Sequence, residues 1–357
     1  MKIKNCLLVV AVMAAAFSLQ PDAVAQGSLT PPGAPAPTMK TADQIYAKLE
    51  PRIVINAVNT PGDSANLFII TNPGSYYLTT NIVGVSGKNG IGISGNNITL
   101  DLNGFVLQGT AGSLDGINFP YTTTNSNIEV RNGIITGWPG VGFFATGAFN
   151  LLFDHLNISS NSIGIRTGNT GATVRNCIVS QNSNRGINCD GGSARITGCT
   201  IENNGNTGIL LDGSVADCLV RNNGAGINIQ EGSVTGCTII GNHDFGVYAS
   251  GPSLIVGNTC IKNNTNNVGT SGGIVIDELA GQCRIENNQL TGNGASGIQI
   301  RTGLFGSGAN KNIVIKNTAT GNGLNNYIVP GGNVFGPIAN DSGGTITNSS
   351  PWGNFSF

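Results

Sequence analysis

Only 10% of this chain is charged, so the side chains able to move protons or hold cations can be weighed one at a time. Arg131, Asp154, His155 and Arg175 make its densest charged group. Stacked together they would be a candidate catalytic group; they would equally be a surface ion-pair ladder worth about 0–1 kcal/mol per pair. Asp190 and Asp212 are a second candidate. Two carboxylates held close could bind Ca²⁺, or split their pKa values and serve as acid and base. Against that, "DGG" at 190–192 and "DGS" at 212–214 also read as Asp-Gly turns. The two histidines, His155 and His243, lack zinc-ligand spacing, and His243-Asp244 reads as a solvated corner.

These residues can meet only if the fold brings distant positions together, so the periodicity decides the matter. A glycine followed by an apolar residue recurs from Gly90-Ile91 through Gly164-Ile165 and Gly226-Ile227 to Gly297-Ile298, mostly at steps of 18–27 residues. Between these glycines a second run ends at Trp138, Asn161, Asn182, Asn204, Asn223, Asn242, Asn263, Asn293 and Asn322. Five places earlier stand Gly133, Leu156, Cys177, Cys199, Cys218, Cys237, Asn258, Asn288 and Asn317. A spacing of two keeps residues on one strand face, whereas the spacing of three that precedes the cysteine column demands a bend. Each repeat is therefore one coil of a parallel β-solenoid with a corner just before the cysteine position.

Coils about 4.7–4.9 Å apart stack like residues into ladders. Inward Cys, Ile and Val fill a narrow core, and the Asn column bonds between coils. Ten or so coils would form a rod on the order of 50 Å long. Cysteines pointing inward from stacked strands have parallel Cβ directions, poorly suited to a disulfide. They are expected to be free apolar fillers, whereas Cys283, placed at a loop, is the thiol expected to react.

Residues 1–25 combine Lys2 and Lys4 with an apolar run and the small-residue site Ala23-Val24-Ala25, the pattern of a cleaved secretory signal. It is too short to be kept as a membrane span. Cleavage would remove Cys6 and leave seven of the eight cysteines, an odd number. A Pro/Gly/Ala-rich linker is expected over 26–40. A helix capped by Thr41 with cap strands follows over 41–89, coils over 90–323, and an aromatic C-terminal cap containing Phe335, Trp352, Phe355 and Phe357 over 324–357. A net charge of −1 with no basic stripe argues against a nucleic-acid partner.

"PPGAPAPTMKT", "PGSYYLTTNIVGVSGKNGIGI", "NNITLDLNGFVL" and "PWGNF" resemble a group of secreted bacterial right-handed parallel β-helix proteins with no assigned activity. The wider architecture is similar to that of pectate lyases and polygalacturonases. The resemblance implies an all-β, right-handed parallel β-helix. In pectate lyases, Ca²⁺-binding acids accompany an arginine that abstracts the proton α to a uronate carboxylate. "FDH" at 153–155 loosely resembles their Asp-His motif, without the preceding tryptophan and without an Arg-x-Pro-x-x-Arg run. The Asn-Thr-Asp, Asp-Asp, Gly-His-Gly and Arg-Ile-Lys elements of polygalacturonases are absent.

The Thr positions after the cysteine column are interrupted by Leu219 and Gln289, which removes a regular ice- or crystal-binding array. Outward positions of the Gly-Ile strand include Phe144, Leu210, Asn228, Tyr248 and Gln299. Aromatics suit sugar-ring faces and amides suit hydroxyls; the same face could be plain solvated surface. The expectation is a secreted, non-catalytic β-helix that binds polysaccharide or a cell-surface glycan, or serves as a structural or adhesive rod. It needs no cofactor. The alternative is a polysaccharide lyase using Arg131, Asp154, His155 and Arg175, with Ca²⁺ as a candidate ion.

Overall fold

The computed structural model describes residues 40–42, 44–45, 51–119, 125–168, 171–267, 269–302, 311–340 and 350–357. The expected signal segment, most of the linker and residues 46–50 lie outside the described residues. Two compact units divide at Pro51 and Arg52. In the first, Ala42, Gln44 and Ile45 are helical. Thr41 Oγ1 accepts from the Gln44 N–H at 3.1 Å and Gln44 Oε1 accepts from the Thr41 N–H at 3.1 Å, the reciprocal box that satisfies two N-terminal donors.

The second unit is a parallel β-solenoid of about twelve turns, two more than the repeat count suggests. The stack starts before residue 90, because Asn66–Ile70 already pairs parallel with Asn89–Ile93. It continues past residue 323, where Ser296–Ile300 receives Asn325–Ile328. Equivalent residues pair as the columns require: Cys260 opposes Ile239, Phe153 opposes Val130, and Ile227 opposes Ile209.

The corner before the cysteine column is a left-handed residue in each of these coils. Asn132, His155, Asn176, Asp217, Asn287 and Lys316 have φ of 52–57°, and Gly198, Gly236 and Gly257 take the same place. Asn and Gly tolerate this region best, which explains the polar residue or glycine that recurs there. One buried core runs through the stack. Its aromatic section packs Phe143 edge-on to Phe153 with ring centres 4.4 Å apart. Trp138 is fully buried, its indole N–H donating to Leu107 O at 3.1 Å. Glycines 84, 90 and 116 leave room for that ring, since a Cβ on any of them would come within about 3 Å of it.

From Asn161 to Asn322 each side-chain amide donates to the next amide oxygen at 2.8–3.1 Å, and that oxygen also accepts the preceding backbone N–H. Where the cysteine column changes to Asn258, Asn288 and Asn317, a second amide ladder begins, ending on Asn354. Near the C-terminus Tyr327 OH donates to Asn317 O and Phe355 O, both at 2.8 Å, and Phe335 packs on the core. Trp352 and Phe357 are half exposed.

All seven cysteines after residue 25 are buried and free. Cys283 departs from expectation. Its neighbours Gly281 and Gln282 are in a loop, but its side chain turns inward, is 1% exposed, and donates to Gly251 O at 3.4 Å. Burial pushes the thiol up from its ordinary pKa, which disfavours the thiolate form.

Candidate functional site

Two faces of the solenoid carry the side chains singled out by sequence. On the first, Asp154 pairs in register with Arg131 on one side and Arg175 on the other. Asp101 opposes Arg131 from the preceding coil. Arg175 donates to Asp154 Oδ2 at 2.8 Å, Asn176 donates to Oδ1 at 3.1 Å, and His155 Nδ1 lies 2.7 Å from Oδ1. The motif repeats one coil earlier, with Arg131 at 3.3 Å and Asn132 at 3.3 Å on Asp101. Arg52 reaches the same carboxylate at 3.8 Å.

Burial of Asp154 opposes its ionisation, but the hydrogen bonds of Arg175 and Asn176 and the charges of Arg175 and His155 outweigh it and lower its pKa. In return, the hydrogen bond and charge of Asp154 raise the pKa of Arg175. To act as a Brønsted base, arginine must first be deprotonated so that it can accept a proton, and this guanidinium is held more firmly in its charged form. His155 occupies a corner position filled by asparagine on the adjacent coils, and its side chain is 62% exposed. The neighbouring depression, about 420 Å³, is lined by Asn97, Thr99, Asn127, Glu129, Asn150 and Leu152 among others; none of the four candidates lines it. Asp101 escaped the sequence columns because 30 residues separate it from Arg131, longer than the usual coil.

The Asp190 and Asp212 side chains sit on neighbouring coils but out of step. A register shift after Cys189 sets Asp212 against Ser193, and Asp190 Oδ1 instead accepts from Gln230 Nε2 at 3.0 Å. Burial, then the charges of Asp190 and Glu231, raises the pKa of Asp212. Among the described residues no three His, Cys, Asp or Glu side chains converge on a point that could hold a metal ion, whereas Ca²⁺ takes about 6–8 oxygens. His243 is exposed in its corner.

The second face is the outward side of the Gly-Ile strands. Phe144, Arg166, Asn188, Leu210, Asn228, Tyr248, Val275 and Gln299 follow one another in register over eight coils. The sequence reading named five of these and passed over Arg166, Asn188 and Val275. Alternation predicts solvent exposure here, yet Phe144, Asn188, Leu210, Val275 and Gln299 are all buried. Val275 joins Ala225 and Phe245 in a small apolar cluster apart from the core, with Tyr248 packed on it. Ring centres of Phe245 and Tyr248 are 5.2 Å apart.

Polar groups on this face are incompletely satisfied. Asn188 Oδ1, Asn228 Oδ1 and Gln299 Oε1 are buried without a hydrogen-bond partner. Asp212 Oδ1 and Arg185 Nε, on the flanks, are in the same state. At one end, Tyr248 OH donates to Asp277 Oδ2, and burial followed by that carboxylate pushes its pKa up to about 12. Arg301 lies over the Tyr248 ring at 5.3 Å and donates to Thr270 O at 2.7 Å. Beside them a groove of about 490 Å³ is lined by Thr270, Glu278, Gln299, Arg301, Ile328 and Pro330 among others. Asp277 and Arg301 each stand four places after a repeat glycine, Gly273 and Gly297, but only the pairing of coils joins them to Tyr248.

The family model described as "Right handed beta helix region" matches residues 62–225 and 212–305. No curated protein matches the chain. Solved structures of similar fold include a mutant form of the periplasmic alginate epimerase AlgG, with a TM-score of 0.52 and 11% identity over 80% of this chain and 82% of that one. The A-module of the Azotobacter vinelandii mannuronan C-5 epimerase AlgE6 gives a TM-score of 0.50 and 15% identity over 80% of this chain and 88% of that one. Identities this low establish likeness of fold. No helix among the described residues is long and apolar enough to cross a membrane.

Proposed function

Since this chain belongs to the right-handed β-helix family, its faces are rows of registered side chains, and we propose that it binds polysaccharide on the Phe144–Gln299 row without turning it over. The observation that carries this reading is the set of unpartnered amide oxygens at Asn188, Asn228 and Gln299. An acceptor without a protein donor is one that a glycan hydroxyl can satisfy once a side-chain rotation brings it to the surface. Tyr248 is half-buried on the same row, and the groove beside Gln299 supplies a concave wall. The reading rests on this chemistry, because the epimerases share the fold alone. No cofactor is required by it. Export to the periplasm, cell surface or exterior, which the apolar N-terminal run supports, would bring the row to such polymers.

A lyase on the Arg131–Arg175 row has less support, because its arginines and carboxylates are already paired and Arg175 is held as a cation. The test is a glycan array followed by titration of the selected polymer. Tyr248→Ala and Gln299→Ala should each weaken binding about tenfold, a loss of about 1.4 kcal/mol, and Asp154→Ala should leave it unchanged. Uronate polymers incubated with the protein and Ca²⁺ should give no absorbance from unsaturated product. Product that disappears in Arg175→Ala would overturn the proposal.

A further inference from the structure

Cys177, Cys199, Cys218 and Cys237 stand on four consecutive coils, and the residues that follow them pair in unbroken register. Their thiols are held alike. Each lies 3.1–3.4 Å from the carbonyl oxygen two residues back, on Arg175, Thr197, Ala216 and Thr235. Cys199 and Cys218 also reach Val174 O at 3.6 Å and Ile196 O at 3.9 Å. Equivalent positions on stacked coils repeat at the strand interval, so the sulfurs recur at about 4.7–4.9 Å. Leu156 precedes the row, and at its other end the Cys237 N–H donates to Asn258 Oδ1 at 3.0 Å. The thiols are 1–2% exposed, but the residue before each of them, Asn176, Gly198, Asp217 or Gly236, is exposed at the corner.

That interval does not suit a disulfide, which needs Cβ atoms about 3.8 Å apart. It does suit a two-coordinate metal bridge. A zinc–thiolate bond is about 2.3 Å long, and two bonds of about that length placed end to end span about 4.6 Å. Thiolates select soft ions such as Cu(I), and linear coordination asks for no third ligand, so the lack of converging donors is no obstacle. We propose that this row is a binding site for soft monovalent cations, taking one ion between Cys177 and Cys199 and one between Cys218 and Cys237. Each S–metal bond takes the electron pair of an S–H bond, the proton leaves to solvent, and no atom changes oxidation state.

Silver(I) is the probe, added to the reduced, folded protein and followed by native mass spectrometry, thiolate-to-metal absorbance and thermal melting. The expected result is two ions per chain and a higher melting temperature, because a ligand of the folded state stabilises it. Cys199→Val combined with Cys237→Val leaves no adjacent pair and should abolish both. A Cys189→Ala, Cys260→Ala, Cys283→Ala variant should retain both, and it decides the matter if the first variant does not fold. Uptake undiminished by removal of Cys199 and Cys237, uptake lost in the triple variant, or a melting temperature lowered by silver would each overturn the proposal. So would oxidation of the row to disulfides without loss of the fold.

Discussion

Asn204 shows what one buried amide does in this chain. Its Oδ1 accepts from the backbone and side chain of Asn182 at 3.1 and 2.9 Å, and its Nδ2 donates to Asn223 Oδ1 and Val179 O at 2.9 and 3.1 Å. Asn204→Ala would strand buried partners on both adjacent coils, at about 1–3 kcal/mol for each unsatisfied group. Denaturant unfolding should therefore show a loss of about 2–5 kcal/mol, far beyond a surface substitution. Asp154 carries a different prediction. Its folded pKa is depressed by Arg175 and Asn176 against the cost of burial, and that of Glu286 is depressed chiefly by Lys316. Such groups stabilise fully above the unfolded carboxylate pKa of about 4, and the contribution disappears as pH falls through the lower folded value. Melting temperature should drop from pH 5 towards the acid side, and less steeply in Asp154→Asn.

Single strands here are too short to hold themselves, so the coil corner and the ladder position are what define each element. Both were legible in the sequence: the spacing of three before Cys177 and Cys199 marks the corner that Asn176 and Gly198 turn with positive φ. The recurring Asn marks the amide ladder. Less legible was anything that depends on coil length. Asp101 meets Arg131 across 30 residues, and the shift after Cys189 moves Asp212 away from the position that counting assigns it. Burial of Cys283 also depended on which way a loop residue turns. Trp138 occupies an Asn position yet holds its coil by volume, with the Asn161 side chain accepting its backbone N–H at 3.0 Å. Trp138→Ala should cost about 3–5 kcal/mol through the cavity it leaves, measured as a fall in the denaturant midpoint at unchanged slope.

At the scale of the molecule, the solenoid converts a repeat into rows, and the rows differ in what remains unsatisfied. The Asp101–Arg175 row is closed on itself by ion pairs and amides. The Phe144–Gln299 row keeps unpartnered acceptors beside aromatic rings, a difference invisible in sequence because it lies in hydrogen-bond geometry. The most direct measurement is hydrogen–deuterium exchange with and without the glycan chosen by array. Protection is expected over Val247–Ala249, Gly272–Ile276 and Ser296–Ile300, with Phe149–Ser159 and Ala172–Arg175 unchanged. Protection confined to those last two strands, with none along the Gly-Ile face, would contradict the account.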